Sequence, residues 1–245
     1  MIGSFLNVCI YRIPVGKSIV TGSSSCPGCG HRLTPIDLVP LFSWLFLGGK
    51  CRHCKARVSP QYPIIEALTG VLFVLLYLKL GISWCLLIYA ALTSLLIVIS
   101  MIDYKHMMIP NGLIIAGLVV GAAKLIATIF TGHFGNWATY VIGFFAGGLP
   151  LLLIAMFCAF VLKKEAIGGG DIKLMAMAGL IVGWRLIAVA YLIGIIAGAL
   201  ISVILLATKI KQRGDEIPFG PFLSLGILVS IFFGAQLISW YMGLL

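Results

Sequence analysis

The chain has 245 residues, 61% of them hydrophobic and only 10% charged, with a mean hydropathy of +1.15 and a formal net charge of +10 at pH 7. This composition excludes an ordinary soluble domain, and apolar runs of about 18 or more residues recur, each long enough for a hydrocarbon core of roughly 30 Å. The basic excess is confined to a few short connections, which reads as membrane orientation and argues against nucleic-acid binding.

In chain order, residues 1–11 are apolar but too short to span, and read as the inner end of a first helix whose outer part is missing or short. No basic segment with a small-residue cleavage site precedes them, so no cleaved signal peptide is expected. Residues 12–62 are polar and rich in Gly, Pro and Cys. Apolar runs then occupy 63–80, 82–102, 110–130, 137–162, 172–186, 187–208 and 222–244. The expected fold is an all-α polytopic membrane protein with about eight transmembrane helices, the first truncated, and a small cytoplasmic domain inserted after it. Residues 63–245 form the membrane domain.

Charge orients this topology. If 12–62 is cytoplasmic, successive crossings place 103–109, 163–171 and 209–221 on the same side. With Lys173 counted beside 163–171, all of the 17 Lys and Arg except Lys79, Lys124 and Arg185 fall there, as the positive-inside bias requires. Asp103, Glu165 and Asp171 lie at helix–loop junctions on that face, Asp215 and Glu216 in its last loop, and Asp37 in the polar domain. Glu66 lies near a helix start, where a carboxylate suits the positive end of the dipole. Acid chemistry, if present, belongs at one membrane surface.

Cys26, Cys29, Cys51 and Cys54 stand in a C-x2-C-x21-C-x2-C arrangement. Paired thiolates two residues apart grip one tetrahedral ion from a tight turn, and a polar domain of about 50 residues needs such a staple because it buries little core. The alternative, two disulfides, conflicts with a reducing cytoplasm. A closed, structural zinc site is expected, since four thiolates leave no position for a water. His31 and His53 read as solvated loop residues, and Cys9, Cys85 and Cys158 as small packed hydrophobes.

Two segments, SMIDYKHMMIPN at 100–111 and IGGGDIK at 167–173, each set an aspartate at a helix end with a lysine two positions later. Residues i and i+2 on a helix face apart, so Lys105 and Lys173 fit better as surface anchors than as partners of their own aspartates. Asp171 could be a simple N-cap, but three glycines exceed what a cap needs. Gly168, Gly169 and Gly170 let another backbone come close, as an extended peptide substrate would. Asp103 and Asp171 could then share one proton, the charged member activating water and the neutral one polarising a scissile carbonyl.

Seven segments together resemble the type IV prepilin peptidases (prepilin leader peptidase and N-methyltransferase), a family of GxGD intramembrane aspartyl proteases. They are GSFLNVCIYRIP at 3–14, the CPGC and CRHC pair, PLFSWLFLGGKCRHC at 40–54, SPQYPIIEALTG at 59–70, DYKHMMIPN at 103–111, GGGDIKLMA at 168–176 and PFGPFLSLG at 218–226. The resemblance implies that Asp103 and Asp171 are the catalytic pair. It also implies cleavage of the basic leader from pilin-like or pseudopilin precursors at a Gly–Phe type junction on the cytoplasmic face of the plasma (inner) membrane, and zinc in the cysteine domain. Methylation of the new N-terminus with S-adenosylmethionine is likewise implied by resemblance alone: no dinucleotide-type GxGxxG follows a strand, and no residue is assigned to that cofactor.

The chain departs from the family in its short first helix and in Asn111, where many members have Asp. Asp37, Glu66, Glu165, Asp215 and Glu216 read as structural, with contact to a basic leader as the second reading. The PFGPF stretch reads as the entry of the last helix and as a possible lining of the site. Two other functions compete with a peptidase. An ion-coupled transporter would use the aspartates as proton or cation sites, although such sites usually lie near the midplane. A non-catalytic scaffold would leave GGGD without a purpose. Oligomeric state is not legible.

Overall fold

The computed structural model describes residues 1–20, 28–31, 34, 42–131, 136–163, 167–212 and 216–244. Its helices are α1 (Ile2–Arg12), α2 (Phe42–Phe46), α3 (Gln61–Leu80), α4 (Trp84–His106), α5 (Asn111–Thr131), α6 (Ala138–Phe157), α7 (Gly169–Val182), α8 (Trp184–Ala207) and α9 (Gly220–Met242). A π-helical turn, Cys158–Leu162, continues α6. Among the described residues there is no strand, only an isolated antiparallel bridge between Lys50 and Arg57. Every expected apolar run is therefore helical, as an all-α membrane chain requires.

Among the described residues, six helices are long and apolar enough to cross a membrane: α3, α4, α5, α6 with its extension, α8 and α9. The 14 residues of α7 rise only about 21 Å, short of a hydrocarbon core. The break between the apolar runs 172–186 and 187–208 falls at Gly183, in the GWR stretch, where φ is +86°. A Cβ there would also lie 2.8 Å from the Thr139 side chain, so a glycine both turns the chain and admits the neighbouring helix.

The chain forms two compact units, Met1–Ile82 and Ser83–Leu245. In the first, α1 packs on α3 so closely that a Cβ on Gly3 would lie 2.8 Å from the Glu66 Cα. Polar side chains fix the register of this apolar pair. The Ser4 hydroxyl donates to the Glu66 carboxylate, and buried Asn7 donates to the Gly3 and Tyr62 carbonyls at 3.3 Å each. Tyr11 and Tyr62 stack with centroids 5.6 Å apart.

In the second unit, α7 is the core helix. Leu174 through Gly179 are buried, with Ile181 and Val182. Its contact with α6 is backbone to backbone: a Cβ on Gly179 would lie 2.0 Å from the Gly143 carbonyl oxygen, and one on Gly147 2.1 Å from that of Met175. Small residues at such crossings replace the hydrophobic drive that lipid removes. The C-terminal end of α7 is held by Lys124, which is 2% exposed. Its Nζ donates to the Ile181 carbonyl at 2.6 Å and lies 4.2 Å from the Tyr140 ring centroid. A cation suits both the carbonyl end of a helix and an aromatic face.

Candidate functional site

Asp103 lies in the last turn of α4, 6% exposed, and its backbone carbonyl accepts the N–H of Met107 at 2.8 Å. Met107 takes a left-handed conformation that ends the helix, so α4 runs four residues past the apolar stretch that the sequence marks. Asp171 lies in the first turn of α7, which starts after Gly168, and its N–H donates to the Gly168 carbonyl at 3.0 Å. It is thus within the helix and not its N-cap. A chain ending one helix in an acid and beginning another with one can bring the two carboxyls to a shared site.

Their electrostatics put the two carboxyls near one another. Asp171 lies outside the six candidate spans, and burial first, then the charge of Asp103, push its carboxyl up to about 7. The oxygens have unequal partners. Oδ2 of Asp103 accepts the Gly220 N–H at 2.9 Å, whereas Oδ1 of Asp171 is buried without a hydrogen-bond partner. A hydrogen bond to a charged group contributes about 1.5–3 kcal/mol, against about 0.3–1 kcal/mol for a charge at a helix terminus.

The three glycines are not equivalent. A Cβ on Gly170 would lie 2.9 Å from Cβ of Ile109, so this glycine lets the α4–α5 connection approach. Gly168 lies next to the Asp171 carboxyl, 3.4 Å from its Oδ2 to an added Cβ, and Gly169 faces open space. None of the three has a positive φ. Their value is closeness and room, not strain. Lys173 turns away from Asp171 and donates to Asn111 Oδ1 at 2.9 Å, tying the start of α7 to the start of α5.

Gly220 is the residue whose part the sequence did not reveal. It opens α9 within PFGPF, and a Cβ there would lie 2.7 Å from Asp103 Oδ2. The only signal was a glycine between two Pro-Phe pairs at a helix entry. Of the remaining acids, Glu66 is engaged by Ser4, Glu216 is exposed, and Asp37, Glu165 and Asp215 lie outside the described residues.

In the first unit the Sγ atoms of Cys29, Cys51 and Cys54 all lie within 4.8 Å of one another and could hold a metal ion. Thiolates about 2.3 Å from a tetrahedral zinc stand roughly 3.8 Å apart, so three corners of such a site fit. Cys26 lies outside the described residues. The second knuckle is shaped by the Cys51 N–H donating to the Ala56 carbonyl at 2.8 Å and by a left-handed Lys55. His31 and His53, both exposed, bring their rings to 3.6 Å between centroids, outside the thiol group. Cys9 is buried, and Cys85 and Cys158 are half-buried; all three are free thiols.

Comparison with known proteins agrees over nearly the whole chain. Residues 1–80 match the family described as bacterial Peptidase A24 N-terminal domain, and residues 90–203 the type IV leader peptidase family. A protein of Bacillus subtilis named prepilin leader peptidase/N-methyltransferase is 35% identical over 242 residues, covering 98% of this chain and 94% of its own. Proteins of the same name from Pseudomonas aeruginosa and Aeromonas hydrophila are 31% and 32% identical, each match covering 99% of this chain and 90% of theirs. No solved structure matches.

Proposed function

The chain belongs to the type IV leader peptidase family, and from that premise we propose that it is a multi-pass membrane aspartyl endopeptidase that removes the basic leader from type IV prepilin-like precursors. The observation that carries this reading is the pair of carboxyls, buried Asp103 and half-buried Asp171, one close enough to shift the other. Two carboxyls sharing one site hold one proton between them. That protonation state lets one activate water while the other polarises the peptide carbonyl.

Gly168 borders the Asp171 carboxyl and Gly169 faces open space, which leaves room for an extended backbone and supports their reading as the substrate approach. The cut is read at a Gly–Phe type junction, on the cytoplasmic face of the plasma (inner) membrane to which the Lys and Arg distribution assigns both aspartates. Zinc fits the thiol group. Cys26, Cys29, Cys51 and Cys54 would hold it, and it would supply folding stability to residues 12–62 and no step of the chemistry. The domain division at 12–62 and 63–245 rests on the same composition change.

Methylation of the new N-terminus is proposed from the relatives' name, with S-adenosylmethionine as methyl donor and no residue assigned to it. An ion-coupled transporter is not favoured, since the family match covers both aspartates. The test is reconstitution of the purified chain in liposomes with a precursor bearing a basic leader, a Gly–Phe junction and its apolar helix. Release of the leader, and a methyl group on the new N-terminus when S-adenosylmethionine is present, are expected. An intact precursor beside folded protein would contradict the peptidase reading.

A further inference from the structure

Asp103 and Asp171 share a site but not an environment, and giving them separate parts rests on reading them as the peptidase pair. The first turn of α9 has few donors to offer. Pro221 has no N–H, and the N–H groups of Phe222 and Leu223 donate to the Phe219 carbonyl at 3.1 Å each. The Gly220 N–H goes to Asp103 Oδ2 at 2.9 Å, and only a glycine fits there, because a Cβ would press on that oxygen. On the other side Asp171 Oδ1 is buried with no donor at all.

We infer that the pair is asymmetric by construction: Asp103 is the charged member that activates water, Asp171 is the member that carries the shared proton, and Gly220 is the positioning residue that sets this order through its N–H. A carboxylate with a buried oxygen and no donor for it is the costlier charged species, so the proton belongs on Asp171. The helix termini do not reverse this. Asp103 sits at the unfavourable end of α4 and the favourable end of α9, Asp171 at the favourable end of α7, and a direct hydrogen bond to a charged oxygen outweighs both effects.

The reaction then balances. Asp103 takes one proton from water as the hydroxyl oxygen bonds to the scissile carbonyl carbon, and Asp171 gives its proton to the carbonyl oxygen. As the C–N bond breaks, Asp103 passes its proton to the leaving nitrogen. A hydroxyl proton of the tetrahedral carbon returns to Asp171 as the new carboxylic acid forms. Both side chains end as they began.

The test needs no substrate. The chain has four aspartates, Asp37, Asp103, Asp171 and Asp215, so carbon-13 labelling of aspartate carboxyls isolates a small set of infrared bands. Spectra of the full chain are taken at mildly acid pH, above the ordinary carboxylate range and below the titration of Asp171. A protonated-carboxyl band is expected in the wild type and in Asp103→Asn, and its loss in Asp171→Asn. Adding Gly220→Ala to Asp171→Asn crowds Asp103 off its donor and is expected to restore a band.

A band that survives in Asp171→Asn, is lost in both single variants or is missing in the wild type overturns the assignment. No restored band in the folded double variant removes Gly220 from it. If the band pattern holds but precursors stay uncut, the peptidase reading has failed and the asymmetry has not.

Discussion

The Gly220 N–H and the Asp103 carboxylate, 117 positions apart in sequence, meet at 2.9 Å and join the first turn of α9 to the last turn of α4. Gly220→Ala retains the donor but sets a Cβ 2.7 Å from the oxygen, closer than carbon and oxygen approach in packed proteins. We expect kcat for leader cleavage to fall at least about tenfold with KM little changed, since displaced general bases lose much of a contribution of roughly a hundredfold or more. Wild-type kcat in this variant would show that the contact has no catalytic consequence.

The Asp171 carboxyl, pushed up to about 7, keeps its proton well above the ordinary carboxylate range. The one-proton pair therefore persists as pH rises from the carboxylate range, and is lost as pH passes through about 7. Cleavage should decline on the alkaline side with a midpoint near neutrality. A rate that stays flat well into the alkaline range, at saturating substrate and with folded enzyme, would contradict the raised carboxyl.

Gly169 faces open space while Gly179 abuts the Gly143 carbonyl oxygen, so the same substitution separates substrate access from packing. Gly169→Ala should leave the melting temperature in detergent nearly unchanged, within the roughly 0.5 kcal/mol typical of surface changes, yet raise KM for the precursor. Gly179→Ala should lower stability by about 1–3 kcal/mol, as overpacking does. An unchanged KM in Gly169→Ala would remove that glycine from the substrate path.

Replacing Cys29, Cys51 and Cys54 by serine should abolish near-stoichiometric zinc, read by elemental analysis, and make residues 12–62 sensitive to limited proteolysis. Equal protease resistance in the metal-free variant would show that the thiol cluster is not what holds this segment.

How much of the molecule is legible in its sequence varies with the range of the contacts. Helix positions are readable because membrane crossing demands long apolar runs, and Asp103 and Asp171 because a carboxyl at the end of such a run is costly without a reason. The apolar pattern ends the Asp103 helix at that residue, yet the helix runs on to His106, because polar residues at a membrane surface need not break a helix. Lys124 reads from the sequence as an outward positive charge. Its carbonyl partner at Ile181 lies 57 residues on, and no local pattern announces a cation buried against a helix end. The Gly220 contact is hidden for a similar reason: its donor is a backbone N–H, which every residue but proline carries.

On the proposed reading Asp103 and Asp171 together cut the precursor, and mass spectrometry of precursor incubated with purified Asp103→Asn and Asp171→Asn tests this most directly. Each variant, shown to be folded by circular dichroism and a sharp melt, should release leader at least about a hundredfold more slowly than the wild type, the scale of lost acid–base catalysis. Leader release near the wild-type rate by either variant would contradict a shared role for the two carboxyls.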